Sequence, residues 1–544
     1  MSVDSPKVPP RARASAASPP QAGPGGMTHR QVLEALSGLL LALFVSMLSA
    51  TVVATALPQI IGSLKGSQTQ YTWVVTAMLL TTTASTPVWG KLADLFSKKL
   101  LIQVATVVFI VGSMVSGLSQ STDQLIAARA FQGVGAGGLQ ALVQVAIAAM
   151  IPPRERGRYN GYLGAVMAVA TVGGPLLGGV IVDTSWLGWR WCFYVGVPFA
   201  VAALGLLQVT LHLPVNRREN VRIDYAGAVL IVSSVSVLLV WVSFVDSSFG
   251  WLSWQTFAMV GAALLLGALA MVVESRAAEP VVPLKIVRQR VTALAILASL
   301  AVGTAMFGGT VFLGQYFQIG RGYSPTEAGL LTVPLMGGVL TASIVIGLLV
   351  SRTGQIKVFV IGGTLALVAG LAWLGTIDHA TSLVAISGAM LLVGLGVGST
   401  MQNLVLAVQN SVHQRDIGAA SSSVVFFRSL GGAVGVSVLG AVLAHRVKST
   451  MASHLTAMGI HPTGGSLSSS LDLTALPPRI LAVVRVAYGD ATAPIFMISA
   501  GIAVVGILAA FLLPRVTLRG SLDLPPQRAR SGELEIQRQD VPAS

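Results

Sequence analysis

Residues 161–179 read Gly161-Tyr-Leu-Gly164-Ala-Val-Met-Ala-Val-Ala170-Thr-Val-Gly173-Gly174-Pro175-Leu-Leu-Gly178-Gly179, with six glycines and a proline among otherwise small or apolar residues. In water such a helix would break, because glycine is entropically costly and proline removes a backbone bond. Within lipid it can persist: neighbouring helices re-satisfy the freed backbone groups, and glycines let them approach closely. The stretch therefore reads as a transmembrane packing helix that can bend near Pro175.

The rest of the chain agrees. Its 544 residues are 53% hydrophobic and only 10% charged, with a mean hydropathy of +0.77. Ordinary globular chains are about 25% charged, so this composition belongs to a polytopic membrane protein and excludes a soluble enzyme. The single cysteine, Cys192, excludes an internal disulfide and a thiolate metal cluster. Residues 1–32 and 516–544 are polar or rich in Pro, Ser and Gly and are expected to be disordered cytoplasmic tails.

Between the tails, apolar runs long enough to span begin near residues 34, 71, 99, 124, 159, 193, 225, 254, 291, 326, 357, 382, 417 and 493. At roughly 20 residues each they amount to about fourteen helices. Most of the 34 Lys and Arg fall in alternate loops and the two tails. By the positive-inside rule those loops are cytoplasmic, and the net charge of +14 is explained without a nucleic-acid partner.

Three internal echoes relate the first and last parts of the chain. The run Gly90-Lys-Leu-Ala-Asp94-Leu-Phe-Ser97-Lys98-Lys99 has a weaker counterpart at 347–357; Gly133-Val-Gly135-Ala-Gly137 has one in Gly394-Leu-Gly396-Val-Gly398; and Gly173-Gly174-Pro175 aligns with Gly431-Gly432-Ala433. The pattern implies an all-α membrane protein of two related six-helix bundles, 33–213 and 291–515, separated by an extra helix pair within 214–290. Residues 445–492 form a long outer loop that could hold a short helix around 476–489. Parallel halves of this kind belong to transporters whose central site opens alternately to each side.

Several segments resemble signatures of one family, the fourteen-helix drug:proton antiporters of the major facilitator superfamily (EmrB/QacA type). Gly161, Gly174, Pro175, Gly178 and Gly179 match its antiporter motif, with Ala170 where a glycine is usual. Gly90, Leu92, Ala93, Asp94, Lys98 and Lys99 match its second-to-third-helix loop motif, with Ser97 replacing a glycine. Arg129 opens Arg-Ala-Phe-Gln132-Gly133-Val-Gly135, which resembles the fourth-helix motif. The resemblance implies the major facilitator fold with both termini cytoplasmic. It further implies a multi-pass exporter of the bacterial inner membrane driven by proton entry; a monomer with no organic cofactor and no metal is expected.

The acids set the main question. All 20 lie away from the middle of the expected spans, and where the family usually carries a first-helix Asp this chain has Ser49. Proton antiport needs a group that binds a proton in one access state and loses it in the other. The candidates are Asp183, at the outer end of the antiporter helix and equally readable as a solvated acid in an aromatic belt; Asp246, before Trp251 and Trp254; and Asp94. Arg129 and Arg428 lie inside apolar runs, where a permanent charge marks a pathway or a partner.

Candidate substrate contacts are Ser49, Trp73, Phe307, Gln315, Tyr316, Gln402 and Asn403, polar or aromatic groups in spans that could equally bond between helices. Together they suggest a large, aromatic, neutral pocket for bulky amphipathic molecules. No Walker lysine motif or metal-ligand spacing of His appears. The expected function is proton-coupled multidrug efflux. Readings left open are a dedicated exporter of a self-made metabolite or lipid, and an importer or symporter of the same fold.

Overall fold

The computed structural model describes residues 29–65, 68–184, 186–211, 224–245, 249–277, 280–457, 478–516 and 518. The helices are α1 (His29–Ser63), α2 (Gln68–Leu95), α3 (Lys98–Leu118), α4 (Thr122–Met150), α5 (Pro153–Asp183), α6 (Trp191–Tyr194), α7 (Val197–Thr210), α8 (Tyr225–Phe244), α9 (Trp254–Arg276) and α10 (Leu284–Val287). They continue with α11 (Arg290–Gln315), extended by a π-turn over Tyr316–Gly320, then α12 (Pro325–Leu331), α13 (Val333–Thr353), α14 (Ile356–Leu374), α15 (Leu383–Ser411), α16 (Ile417–Ala457) and α17 (Pro478–Leu512).

Thirteen segments among the described residues are long and apolar enough to cross a membrane. α2 is the remaining span. Its run of Thr81, Thr82, Thr83 and Thr86 lowers its hydropathy, but it packs alongside α4 from one end to the other. At the outer end Gln70 bonds Asp123 at 2.8 Å, and deeper in Trp89 Nε1 donates to the Val134 carbonyl at 2.9 Å. With α6–α7 and α12–α13 each counted as one interrupted span, the described residues hold fourteen spans.

Local signals set the helix ends. Ser121, Ser253 and Ser382 cap the helices that follow them, and Ser324 forms a reciprocal capping box with Glu327. Gly354, at φ +71°, ends α13 in a left-handed conformation that suits glycine.

The apolar side chains gather into separate cores. Residues of α1 to α5 and α7, among them Leu36, Phe109, Leu142 and Leu207, form the first; residues of α11 to α17, among them Val302, Leu371 and Phe496, form another. The extra pair belongs to neither. α8 places Val235 and Leu239 between Ala84 of α2 and Phe426 of α16, so it covers the seam where the halves meet. α9 lies outside it and turns Leu264, Leu265 and Met271 outward, as a lipid-facing helix does.

Two boundaries differ from the sequence reading. The first helix already begins at His29, inside the stretch expected to be a tail. The outer loop is also shorter than 445–492, because α16 runs on to Ala457 and α17 starts at Pro478. The helix expected near 476–489 is the first part of α17, where buried Val483, Val484 and Ala487 give the extension a core to pack on. Residues 1–28 and 519–544 lie outside the described residues.

Candidate functional site

The inner ends of the two halves interlock. α2 carries Asp94 four residues beyond Gly90, where its apolar run stops, so the carboxylate lies outside the span at the inner surface. It meets the N-terminus of α16: the Gly418 amide donates to Oδ1 at 2.7 Å and the Ala419 amide to Oδ2 at 2.8 Å. A carboxylate there satisfies two orphan donors and opposes the positive end of the helix dipole. Burial pushes the Asp94 carboxyl up from 3.8 to about 7, against the pull of the two amides and of Lys98 and Lys91. Gly90 and Gly418 make the approach possible, since a Cβ on Gly90 would strike Ser422 and the Gly418 carbonyl, and one on Gly418 would strike Gly90 and Asp94.

A second contact joins α5 to α13. Gly161 faces Ile344, with the site of a Cβ only 2.9 Å from its Cγ1, and Gly164 faces Ser343. The other end of the glycine stretch turns to the first helix, where Gly174 lies against Thr51, whose hydroxyl donates to the Ala170 carbonyl at 3.0 Å. α5 passes through Pro175 without a break and carries Gly178 and Gly179 into its last turns. The motif thus has two faces, one across the halves and one within the first half.

Buried polar groups also join the halves. Arg156 donates to the carbonyls of Ile151 and Ala148 at 2.7 and 2.6 Å and to Gln409 Oε1 at 2.8 Å. Gln409 in turn donates to Ser421 at 3.0 Å, and Gln144 donates to Gln402 at 2.8 Å across the halves. Sequence reasoning counted Arg156 only as a loop charge and passed over Gln144. The spacing signal was weak, because neither belongs to an echo or motif.

In the outer half of the first bundle Arg129 donates to Gln132 Oε1 at 2.7 Å, and Gln132 donates to Ser49 at 3.2 Å and Ser113 at 2.5 Å. The structure therefore brings together two residues chosen from distant motifs, Ser49 and Arg129. Residues 39–436 match the family model of the Major Facilitator Superfamily. The chain belongs to that superfamily. Over 483 residues it is 35% identical to an uncharacterised MFS-type transporter of Mycobacterium tuberculosis (strain ATCC 25618 / H37Rv), covering 89% of this chain and 69% of the relative. It is 34% identical over 424 residues to the multidrug transporter protein MdtP of Bacillus subtilis (strain 168), covering 78% and 77%. Among solved structures the proton:xylose symporter XylE superposes with a TM-score of 0.59 at 14% identity, over 90% of this chain and 98% of that one, which speaks for the fold alone. This major facilitator protein is a multi-pass membrane transporter and not an enzyme.

The other candidate residues of the transporter scatter. Trp73 stacks on Phe244 of α8 with ring centroids 4.8 Å apart. Phe307 packs against Gly432 between α11 and α16. Asn403 donates to the Ser399 carbonyl at 2.7 Å and leaves its own carbonyl oxygen buried and unbonded. Gln315 is exposed on the outside of α11. Tyr316, at the π-turn, is fully buried and donates to the Asp378 carbonyl at 2.7 Å, which fastens the outer end of the second bundle. Neither of the last two joins the interior polar groups.

Arg428 is buried in α16, with one long contact of 3.5 Å to the Met401 carbonyl. Lys99 caps the other side of the loop motif by donating to the Gln208 carbonyl at 2.7 Å. Asp183 is the last residue of α5, and Asp246 lies outside the described residues.

Proposed function

We propose that this transporter exports bulky amphipathic or hydrophobic compounds across a bacterial cytoplasmic membrane, as a monomer, in exchange for protons entering from outside. The observation that carries the reading is the Asp94 contact with the start of α16, a charge-to-helix bond between halves that must break whenever the inner side opens. The conformer described is one closed at that side. Opening it exposes the interior to the cytoplasm; closing it after loading sends the substrate outward.

Asp94 also supports proton coupling. Its carboxyl is held near 7 while buried, and in water it would return toward 3.8, so opening the inner side releases a proton to the cytoplasm. Asp183 and Asp246 are the candidates for uptake from outside. The glycine seam of α5, the resemblance of residues 161–179 to exporters and the likeness to a multidrug transporter protein favour export of varied compounds over import of one.

The test uses inside-out vesicles energised by respiration, with a lipophilic dye as substrate and an uncoupler as control. Export predicts uncoupler-sensitive uptake that is lost in Asp94→Asn at equal protein level. Uptake that survives the uncoupler would refute proton drive, and absence of uptake across a broad dye panel would refute multidrug export in favour of a dedicated exporter or an importer.

A further inference from the structure

Arg129 is a permanent cation with no counter-charge among the described residues. It lies seven residues into α4, about 10 Å below the outer end of that helix, and is only 3% exposed. Its guanidinium makes one hydrogen bond, through Nη1 to the neutral amide of Gln132. Nε is buried and unbonded, and the Phe193 ring lies 5.9 Å from Cζ. Gln132 has nothing further to offer, because its amide nitrogen is committed to Ser49 and Ser113. No ion pair reaches Arg129 among the described residues. Asp123, at the first turn of α4, is turned to Gln70 instead.

An arginine cannot discard its proton, and an isolated buried charge costs several kcal/mol. The edge formed by Nε and the second terminal nitrogen makes no hydrogen bond among the described residues, and this is the edge that matches two oxygens of a carboxylate. Arg428, in the other half, is likewise buried with no acid partner among the described residues.

We propose that Arg129 is the docking point for an anionic group, so that the substrates of this transporter include amphipathic organic acids. The assignment deepens the reading as an exporter and rests on it. One anion chemistry has two sources, the acid group of the substrate itself or an inorganic anion such as chloride that accompanies it.

The experiment uses the purified full-length protein and measures binding of a carboxylated fluorescent dye and of a cationic dye by anisotropy, with chloride as competitor. Wild type should bind the acidic dye more tightly, and Arg129→Gln should weaken it by roughly tenfold to a hundredfold, as expected for a charged hydrogen bond. Ser49→Asp places a carboxylate within the Arg129–Gln132 network and should weaken the acidic dye at least about tenfold more than the uncharged, similarly sized Ser49→Asn does. Displacement of the acidic dye by chloride would show that an inorganic anion shares the site, and resistance to chloride that the site selects the substrate's own acid group; in both cases the dye's acid group is what Arg129 holds. Equal affinity for both dyes in wild type, or equal loss in Ser49→Asn and Ser49→Asp, would overturn it. Vesicle uptake separates the two claims: binding that depends on Arg129 without transport of the dye leaves the anion site standing and counts against export of that acid.

Discussion

The Asp94 carboxylate takes the Gly418 amide at 2.7 Å although 324 residues separate them in the chain. Burial holds that carboxyl near 7 in the closed conformer, and solvent would return it toward 3.8 once the inner ends part. The closed state therefore binds more protons than the open one between these values, and acidification across that window favours closure. Spin labels at Ser97 and His413 should report a growing short-distance population as pH falls below about 7. In Asp94→Asn the distances should no longer follow pH, and an unchanged pH response there would assign it to another group.

Gly418→Ala and Gly90→Ala test the approach of α2 to α16. At Gly418 the added methyl would strike the Gly90 carbonyl, which is backbone, and the Asp94 carboxylate, which two amides hold in place. Overpacking costs about 1–3 kcal/mol, enough to shift the closed population by roughly tenfold. The same label pair should show the inner ends held apart, with transport lost and the protein still in the membrane. Gly188→Ala is the contrast. A Cβ there meets nothing within 4 Å, but the residue sits at φ +70°, so it should lose roughly 1 kcal/mol of stability and leave closure unchanged.

The fold was legible because lipid imposes it. Apolar runs must become spans, and the three glycine echoes already paired the halves before any contact was known. The loop motif and the glycine stretch also announced where helices meet. Long-range partners were not legible: nothing local to Asp94 says that Gly418 will cap it, and nothing in the Arg156 loop points to Gln409. Gln315 and Tyr316 misled for a related reason. Polar and aromatic residues near the end of a span look alike whether they face the interior, the lipid or the bundle's own outer fastening, and only packing separates these.

The Gln144–Gln402 bond crosses the halves at 2.8 Å between two buried side chains. Replacing either by Leu strands the other amide in the closed conformer, at about 1–3 kcal/mol. Each single variant should therefore weaken inner closure, while Gln144→Leu with Gln402→Leu recovers much of it, because two apolar groups of similar size leave nothing unpaired. A double-mutant cycle on the label distances gives the coupling, and strict additivity would mean the bond does not contribute to closure.

Glu274 decides whether the extra helix pair is scaffold or machinery. At the end of α9 it is 5% exposed and accepts the Val281 amide at 2.9 Å and the Val282 amide at 3.0 Å, which binds the connection toward α10 to the pair. Ile286 of α10 is buried in the core of the second bundle, so this carboxylate ties α9 to that half. Glu274→Ala leaves buried Val281 without its acceptor and should lower thermal stability by about 1–3 kcal/mol, with Glu274→Gln between the two because its amide keeps one accepting oxygen. α8, by contrast, lies over the seam on Ala84 and Phe426, residues of the helices that part at their inner ends in the proposed cycle. If Glu274→Ala lowers the melting temperature and spares dye uptake per folded molecule, the tie is structural and α8 follows the halves passively. If uptake falls while the melting temperature holds, the pair has to stay anchored on one half for the seam to open, and the two additional helices belong to the transport cycle.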